Sequence, residues 1–214
     1  MTGTELSEFD VRIPGTPICD AARELAQDVS PAFLYNHVMR TFAFGHTVGR
    51  SKAAEYDTEM LFLGAILHDL GLVEKFIGEE RFEVDGADAA AHFLLERGYP
   101  DTKIAVIWDA IALHTTLSVP QRKRPEIALV QLGAGIDVGA VPLAVVTPGV
   151  VDQILDAFPR IGFKQAMIDA LAEIVARKPM TGLTTLMGDV GRECVDGFNI
   201  PSICDVIRSA PFED

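Results

Sequence analysis

The sequence predicts an all-α bundle. Apolar residues recur at helical spacing along most of its 214 residues, and helix-start and helix-stop residues punctuate them. No alternating apolar–polar run lasts long enough for a sheet. With 49% hydrophobic residues the chain can bury a sizeable core. No internal repeat, low-complexity tract or linker interrupts it, so a single domain over residues 1–214 is expected. Its motif-bearing core lies at about 30–140, and C-terminal helices over 148–208 pack on it.

Residues 1–16 carry Pro14 and Gly15 and read as an arm. A short helix follows from Pro17 to Gln27. Ser30-Pro31, an N-cap with proline at the first helical position, opens a helix to about Lys52. On it Phe33, His37, Arg40 and Phe44 share one face, which turns His37 and Arg40 inward among aromatics. Asp57 caps the next helix. Its stretch Met60 to Leu67 is apolar except at Gly64, and a helix apolar on all sides belongs inside a globule. It ends at His68-Asp69, and Gly71 marks the stop. After a charged connection over 72–85, Asp85-Gly86 starts a helix to Arg97, closed by Gly98. Asp101 caps a helix through about His114, with Ile107, Ile111 and His114 on one face. A basic loop from Pro120 to Pro125 leads to a helix from Glu126 to about Ile136. Val130, Gly133 and Asp137 follow its spacing, with Asp137 at the end. Amphipathic stretches near 148–158, 163–177, 181–194 and 201–208 complete the chain.

Eighteen basic and 31 acidic residues give a net charge of -13. That disfavours nucleic acid and anionic membrane surfaces as partners. Arg122-Lys123-Arg124 is too short a cluster to reverse it. The apolar stretch from Val138 to Val151 is broken by Pro142 and Pro148 and is too short to span a bilayer. Cys19, Cys194 and Cys204 are odd in number and lack metal-site spacing, so they read as free thiols in a reducing cytoplasm. The polar, acidic N-terminus is unlike a signal peptide. A soluble cytoplasmic protein with a small-molecule partner is expected. Base rates for helix-rich acidic proteins leave a homodimer open.

A buried charge needs a partner. His37, His68, Asp69 and Asp137 each fall on the apolar face, or at the end, of a helix that enters the core. Imidazole nitrogens and carboxylate oxygens suit zinc, iron or manganese. A metal with an open position activates water at neutral pH. The plainer reading of a His-Asp pair is a satisfied core histidine beside a capping or salt-bridged aspartate.

A histidine, then His-Asp, then a distant aspartate resembles the signature of the HD-domain superfamily of metal-dependent hydrolases. Leu34-Tyr35-Asn36-His37, with Arg40-Thr41 and Phe44-Gly45, resembles the first motif of its cyanamide hydratase-like branch. Tyr56-Asp57, Leu67-His68-Asp69-Leu70-Gly71, Phe82-Glu83-Val84-Asp85-Gly86-Ala87, Ile107-Trp108 and Ala112-Leu113-His114-Thr115 follow in the same order. The resemblance implies an all-helical HD-domain bundle with a mononuclear metal site in its core. One divalent metal, zinc ahead of iron or manganese, would be held by His37, His68, Asp69 and Asp137. The implied activity is a hydratase or hydrolase that adds activated water to cyanamide, giving urea, or to a related nitrile or amide.

Binuclear relatives place a ligand histidine shortly before a Gly-Ala pair. Here Phe82 to Asp85 occupies that place, so one metal is expected and His92 is read as a helix-surface residue. His114 matches its motif position and is read as lining the pocket and moving a proton; the alternative is a core histidine on a backbone carbonyl. Asp85 is either a proton-handling group or the N-cap of its helix. Asn36, Arg40, Lys75 and Thr115 complete the set as substrate contacts. Arg40 could instead pair with a buried carboxylate, and Lys75 could be a solvated loop lysine. His46 reads as structural. The alternative activity is phosphohydrolysis of a nucleotide or other phosphate ester, which needs cations beside the metal. A non-catalytic ligand-binding module would carry a degraded ligand set.

Overall fold

The computed structural model describes residues 12–211, and no β-strand forms among them. The fold is all-α. Among the described residues ten α-helices follow one another: α1 (Pro17–Val29), α2 (Ala32–Ser51), α3 (Thr58–Leu67), α4 (Phe82–Leu95), α5 (Asp101–Ala112), α6 (Pro125–Val138), α7 (Pro148–Ala157), α8 (Phe163–Arg177), α9 (Leu186–Cys194) and α10 (Ile203–Arg208). No helix among the described residues is long and apolar enough to cross a membrane. The chain divides into two compact units, Met1–Phe163 and Lys164–Asp214.

In the first unit α3 is the central element. Every residue from Met60 to Leu67 is buried, and α1, α2, α5 and α6 pack around it. Its start is fixed as the sequence predicts. The Asp57 carboxylate accepts the N–H groups of Glu59 and Met60 at 3.0 and 3.2 Å. Lys103 holds the same carboxylate at 2.7 Å, and Glu126 accepts the Asp57 N–H at 2.8 Å.

Helices α2 and α6 run antiparallel at unusually close range. A Cβ on Gly133 would lie 2.1 Å from the Thr41 carbonyl oxygen, and one on Gly45 would lie 2.6 Å from that of Leu129. The pairs Gly45 with Leu129 and Thr41 with Gly133 step by four residues in opposite directions. One further step brings His37 opposite Asp137. The small residues therefore fix the register that delivers both side chains to one point. Gly139 closes α6 in the left-handed conformation, at φ 86°.

Three predicted helix starts are corrected. Ser30 does not cap α2: its N–H closes α1 on the Ala26 carbonyl, and Pro31 stands at the cap position without a side-chain bond. Asp101 is the first residue of α5, after Pro100. Helix α4 begins at Phe82, so Asp85 is not its N-cap. Its carboxylate instead accepts the N–H groups of Gly78 and Glu80 at 2.9 and 3.2 Å and braces the turn before the helix. Gly71 seats that helix start, since a Cβ there would fall 1.9 Å from the Phe82 carbonyl oxygen.

The second unit holds the body of α8, then α9 and α10. Gly182 and Gly188 approach closely, and the Phe198 ring fills the space beside Gly191. Thr185 caps α9, and Ser202 with Asp205 forms a capping box on α10.

Gly133→Ala should destabilise the protein by at least about 1–3 kcal/mol, because neither backbone can yield to the added methyl. Gly149→Ala, where nothing lies within 4 Å, should leave stability unchanged or slightly raised. Urea unfolding midpoints at unchanged slope would measure both.

Candidate metal centre

Four helices end on one buried cluster. Helix α2 carries His37 and Arg40, α3 ends at His68 and Asp69, His114 follows α5, and Asp137 occupies the last turn of α6. All six side chains are buried.

Each imidazole has its outer nitrogen committed. His68 Nδ1 lies 2.8 Å from the Ala65 carbonyl and His114 Nδ1 lies 2.7 Å from that of Ile111. A carbonyl only accepts, so Nδ1 carries the hydrogen in both. His37 Nδ1 donates to Asp137 Oδ2 at 2.6 Å. The inner Nε2 atoms then turn lone pairs on one another. His37 Nε2 is 3.2 Å from His68 Nε2. Asp69 Oδ2 is 3.4 Å from the first and 3.2 Å from the second, and Asp69 Oδ1 is 3.5 Å from His114 Nε2.

Acceptors facing acceptors repel unless a positive charge lies among them. The charge preferences of the cluster agree. Burial disfavours the Asp69 carboxylate, but His68, His37 and His114 outweigh burial and hold its pKa well below the usual range. Burial likewise opposes imidazolium at His68, yet Asp69 outweighs it and the pKa is raised. At His114 burial wins, helped by His68, and the pKa is lowered, which leaves a neutral ring at neutral pH.

His37, His68 and Asp69 can each offer one ligand atom with all three within 4.8 Å of one another. Atoms about 2.1 Å from a common tetrahedral ion stand roughly 3.4 Å apart, close to the separations here. The donor set therefore fits a divalent cation. Asp137, expected as a fourth ligand, is placed differently. Its oxygens face His37 Nδ1 and the Arg40 guanidinium, which binds both of them at 2.8 Å. Burial would raise its pKa, but the hydrogen bonds of His37 and Arg40 hold it well down. In this geometry Asp137 fixes the tautomer and ring orientation of His37.

Two residues beside the centre escaped the sequence reading. Arg160 Nη1 donates to both the carbonyl and Oδ1 of Asp137 at 2.5 Å. The Phe163 ring stacks on His37 at 5.2 Å with an interplanar angle of 29°, and the Arg160 guanidinium lies 4.2 Å from the ring centre. Arg160 lies within the turn Pro159-Arg160-Ile161-Gly162 and Phe163 is the first residue of α8, so neither shares a periodic face with the other residues of the centre.

The residues assigned to substrate contact have other partners. Arg40 is fully buried and also donates through Nη1 to the Phe158 and Pro159 carbonyls, at 3.0 and 3.2 Å. Asn36 donates to the same Pro159 carbonyl at 3.0 Å. Thr115 donates to Glu83 Oε1 at 2.6 Å. Lys75 is exposed and lies 5.3 Å from the Phe76 ring centre. His92 is exposed beside Glu96, and His46 Nδ1 is 2.9 Å from the Tyr56 hydroxyl.

The HD domain family matches residues 34–177, more than half of the chain and the whole of this cluster. The chain belongs to the HD domain family. HD-domain proteins are typically metal-dependent hydrolases, and the buried acceptor cluster supplies what a metal would need. No curated protein matches the chain in sequence.

Removing an inner ligand should remove the metal. His68→Ala and Asp69→Ala should come out metal-free by elemental analysis. Asp137→Asn, checked for folding by circular dichroism, should keep one equivalent at about 10- to 100-fold lower affinity. A folded Asp137→Asn protein holding no metal would instead place Asp137 among the ligands. Metal affinity should fall as pH drops, because protons compete for the same nitrogens, and binding near neutral pH should release protons.

Proposed function

We propose that this HD-domain protein is a metal-dependent hydratase or hydrolase acting on a small, neutral, polar molecule: cyanamide, giving urea, or a related nitrile or amide. The observation that carries this reading is the state of the guanidinium groups. Arg40 and Arg160 are bound to Asp137, and Arg81 is bound to Glu83. A dianionic phosphate would have to be desolvated beside a buried cluster whose neighbouring guanidinium groups are each already engaged by a protein carboxylate, two of them sharing Asp137. A small neutral molecule meets no such penalty.

In this reading His37, His68 and Asp69 hold one divalent cation, zinc ahead of iron or manganese, and Asp137 orients His37. The cation supplies Lewis-acid activation of water. His114 is the proton-handling group. Its Nδ1–H is anchored on the Ile111 carbonyl, so Nε2 is free to accept a proton and stands 3.5 Å from Asp69. Phe82 and Phe163 pack on His114 and His37 and keep bulk water from the imidazole faces. Asp85 holds the turn ahead of α4, which carries Phe82.

Metal-loaded protein should convert cyanamide to urea, and chelation should abolish the activity. Nucleoside monophosphates, run alongside, should be poor substrates. His114→Ala should retain metal and lose about 10²- to 10⁴-fold in rate. Efficient nucleotide hydrolysis without cyanamide turnover would overturn the neutral-substrate reading in favour of phosphohydrolysis.

A further inference from the structure

Beside His114 lies a second charge pair, Arg81 with the buried Glu83, that has no role in the site as described so far. Glu83, in the first turn of α4, has a fully buried side chain. Its Oε1 is used twice, by Arg81 Nη2 at 2.8 Å and by the Thr115 hydroxyl at 2.6 Å. Its Oε2 is buried with no hydrogen-bond partner among the described residues. The same is true of Arg81 Nε. An arginine–carboxylate pair can close bidentately, with two parallel bonds. This one is joined at one prong only, and the two remaining atoms are a carboxylate acceptor and an N–H donor.

Glu83 is tied to residues beside the centre. Thr115 follows His114 in the chain, and Phe82, the neighbour of Glu83, packs its ring 5.7 Å from the His114 ring. The Glu83 charge acts on His114 directly. Burial opposes ionisation of Glu83, but the hydrogen bonds of Arg81 and Thr115 outweigh it and lower its pKa. A charged oxygen buried without a partner is destabilising unless a bound molecule supplies a donor.

We infer that Glu83 and Arg81 form a recognition subsite for a neutral amide-type group, with Glu83 Oε2 accepting a ligand N–H and Arg81 Nε donating to the ligand's carbonyl or nitrile acceptor. This rests on the reading of the centre as one for small neutral molecules and narrows it to those bearing an N–H. It makes Glu83 a specificity-determining residue that touches substrate, held in place by Thr115. Molecules of the same shape without an N–H gain nothing from Oε2.

The test uses urea and tetramethylurea, which lacks N–H groups, as probes of the metal-loaded protein, with binding followed by ligand-observed NMR. Urea should bind the wild type. Glu83→Gln should weaken it by about 10- to 100-fold, the effect of losing a hydrogen bond to a charged group. Any binding of tetramethylurea should be unchanged by the substitution, and metal content should stay at the wild-type level. Arg81 is 38% exposed on its side chain, so Arg81→Met serves as a second variant if Glu83→Gln does not fold, and it too should weaken urea. Absence of urea binding by the wild type would overturn the inference. So would unchanged urea affinity in the variants, or equal losses for both probes. Failure of the broader reading looks different: urea binding would still depend on Glu83 while cyanamide is not turned over.

Discussion

Lone pairs that face one another inside an apolar shell are the constraint on which the rest of this structure depends. Three imidazoles and one carboxylate meet at separations of 3.2 to 3.5 Å, far from solvent. Each ring is denied the option of turning away, because its other nitrogen is already bound to a carbonyl or to Asp137. The repulsion is therefore built in, and the surrounding helices must hold it. The wholly buried α3 and the tight crossing of α2 and α6 provide that stiffness. A looser bundle would relax the cluster into ordinary hydrogen bonds.

Charge is arranged in layers around this point. The inner layer, Asp69 with the Nε2 atoms, is short of positive charge. The next layer is saturated with it: Arg40 and Arg160 both bind Asp137, and their guanidinium groups lie over the same Phe163 ring. A paired guanidinium is a poor competitor for an external anion, yet it fixes its carboxylate firmly. The inner layer thus favours a cation, while the guanidinium groups behind it are already engaged with Asp137.

Much of this was legible in the sequence. The four-three-four spacing of Phe33, His37, Arg40 and Phe44 exposes the inward face of α2, and the uninterrupted apolar run of α3 announces its burial. Asp57 was readable as a cap because it immediately precedes its helix. Asp85 misled for the same reason in reverse: Asp-Gly looks like a helix start, but Arg81-Phe82 begins the helix earlier without a capping side chain. Arg160 and Phe163 could not be read, since their contacts reach across more than twenty residues from a turn and the first residue of the helix after it. Glu83 left one faint trace, an acid two residues after an arginine at the start of an apolar helix. Only the fold shows that Thr115 comes to meet it.

The burial of α3 has a consequence for how the molecule is made. Met-Leu-Phe-Leu-Gly-Ala-Ile-Leu, residues 60–67, carries no charge and no proline, and in the finished protein all of it is covered. On the ribosome, and during any refolding, that segment emerges before α5 and α6 exist to cover it. Short apolar windows of this kind are the ones that drive self-association of incomplete chains. Acidic residues flank it, with Asp57 and Glu59 ahead and Asp69 behind. Charged residues flanking such a window oppose its self-association, so the carboxylates that cap the helix and build the centre in the native state stand where a gatekeeper would.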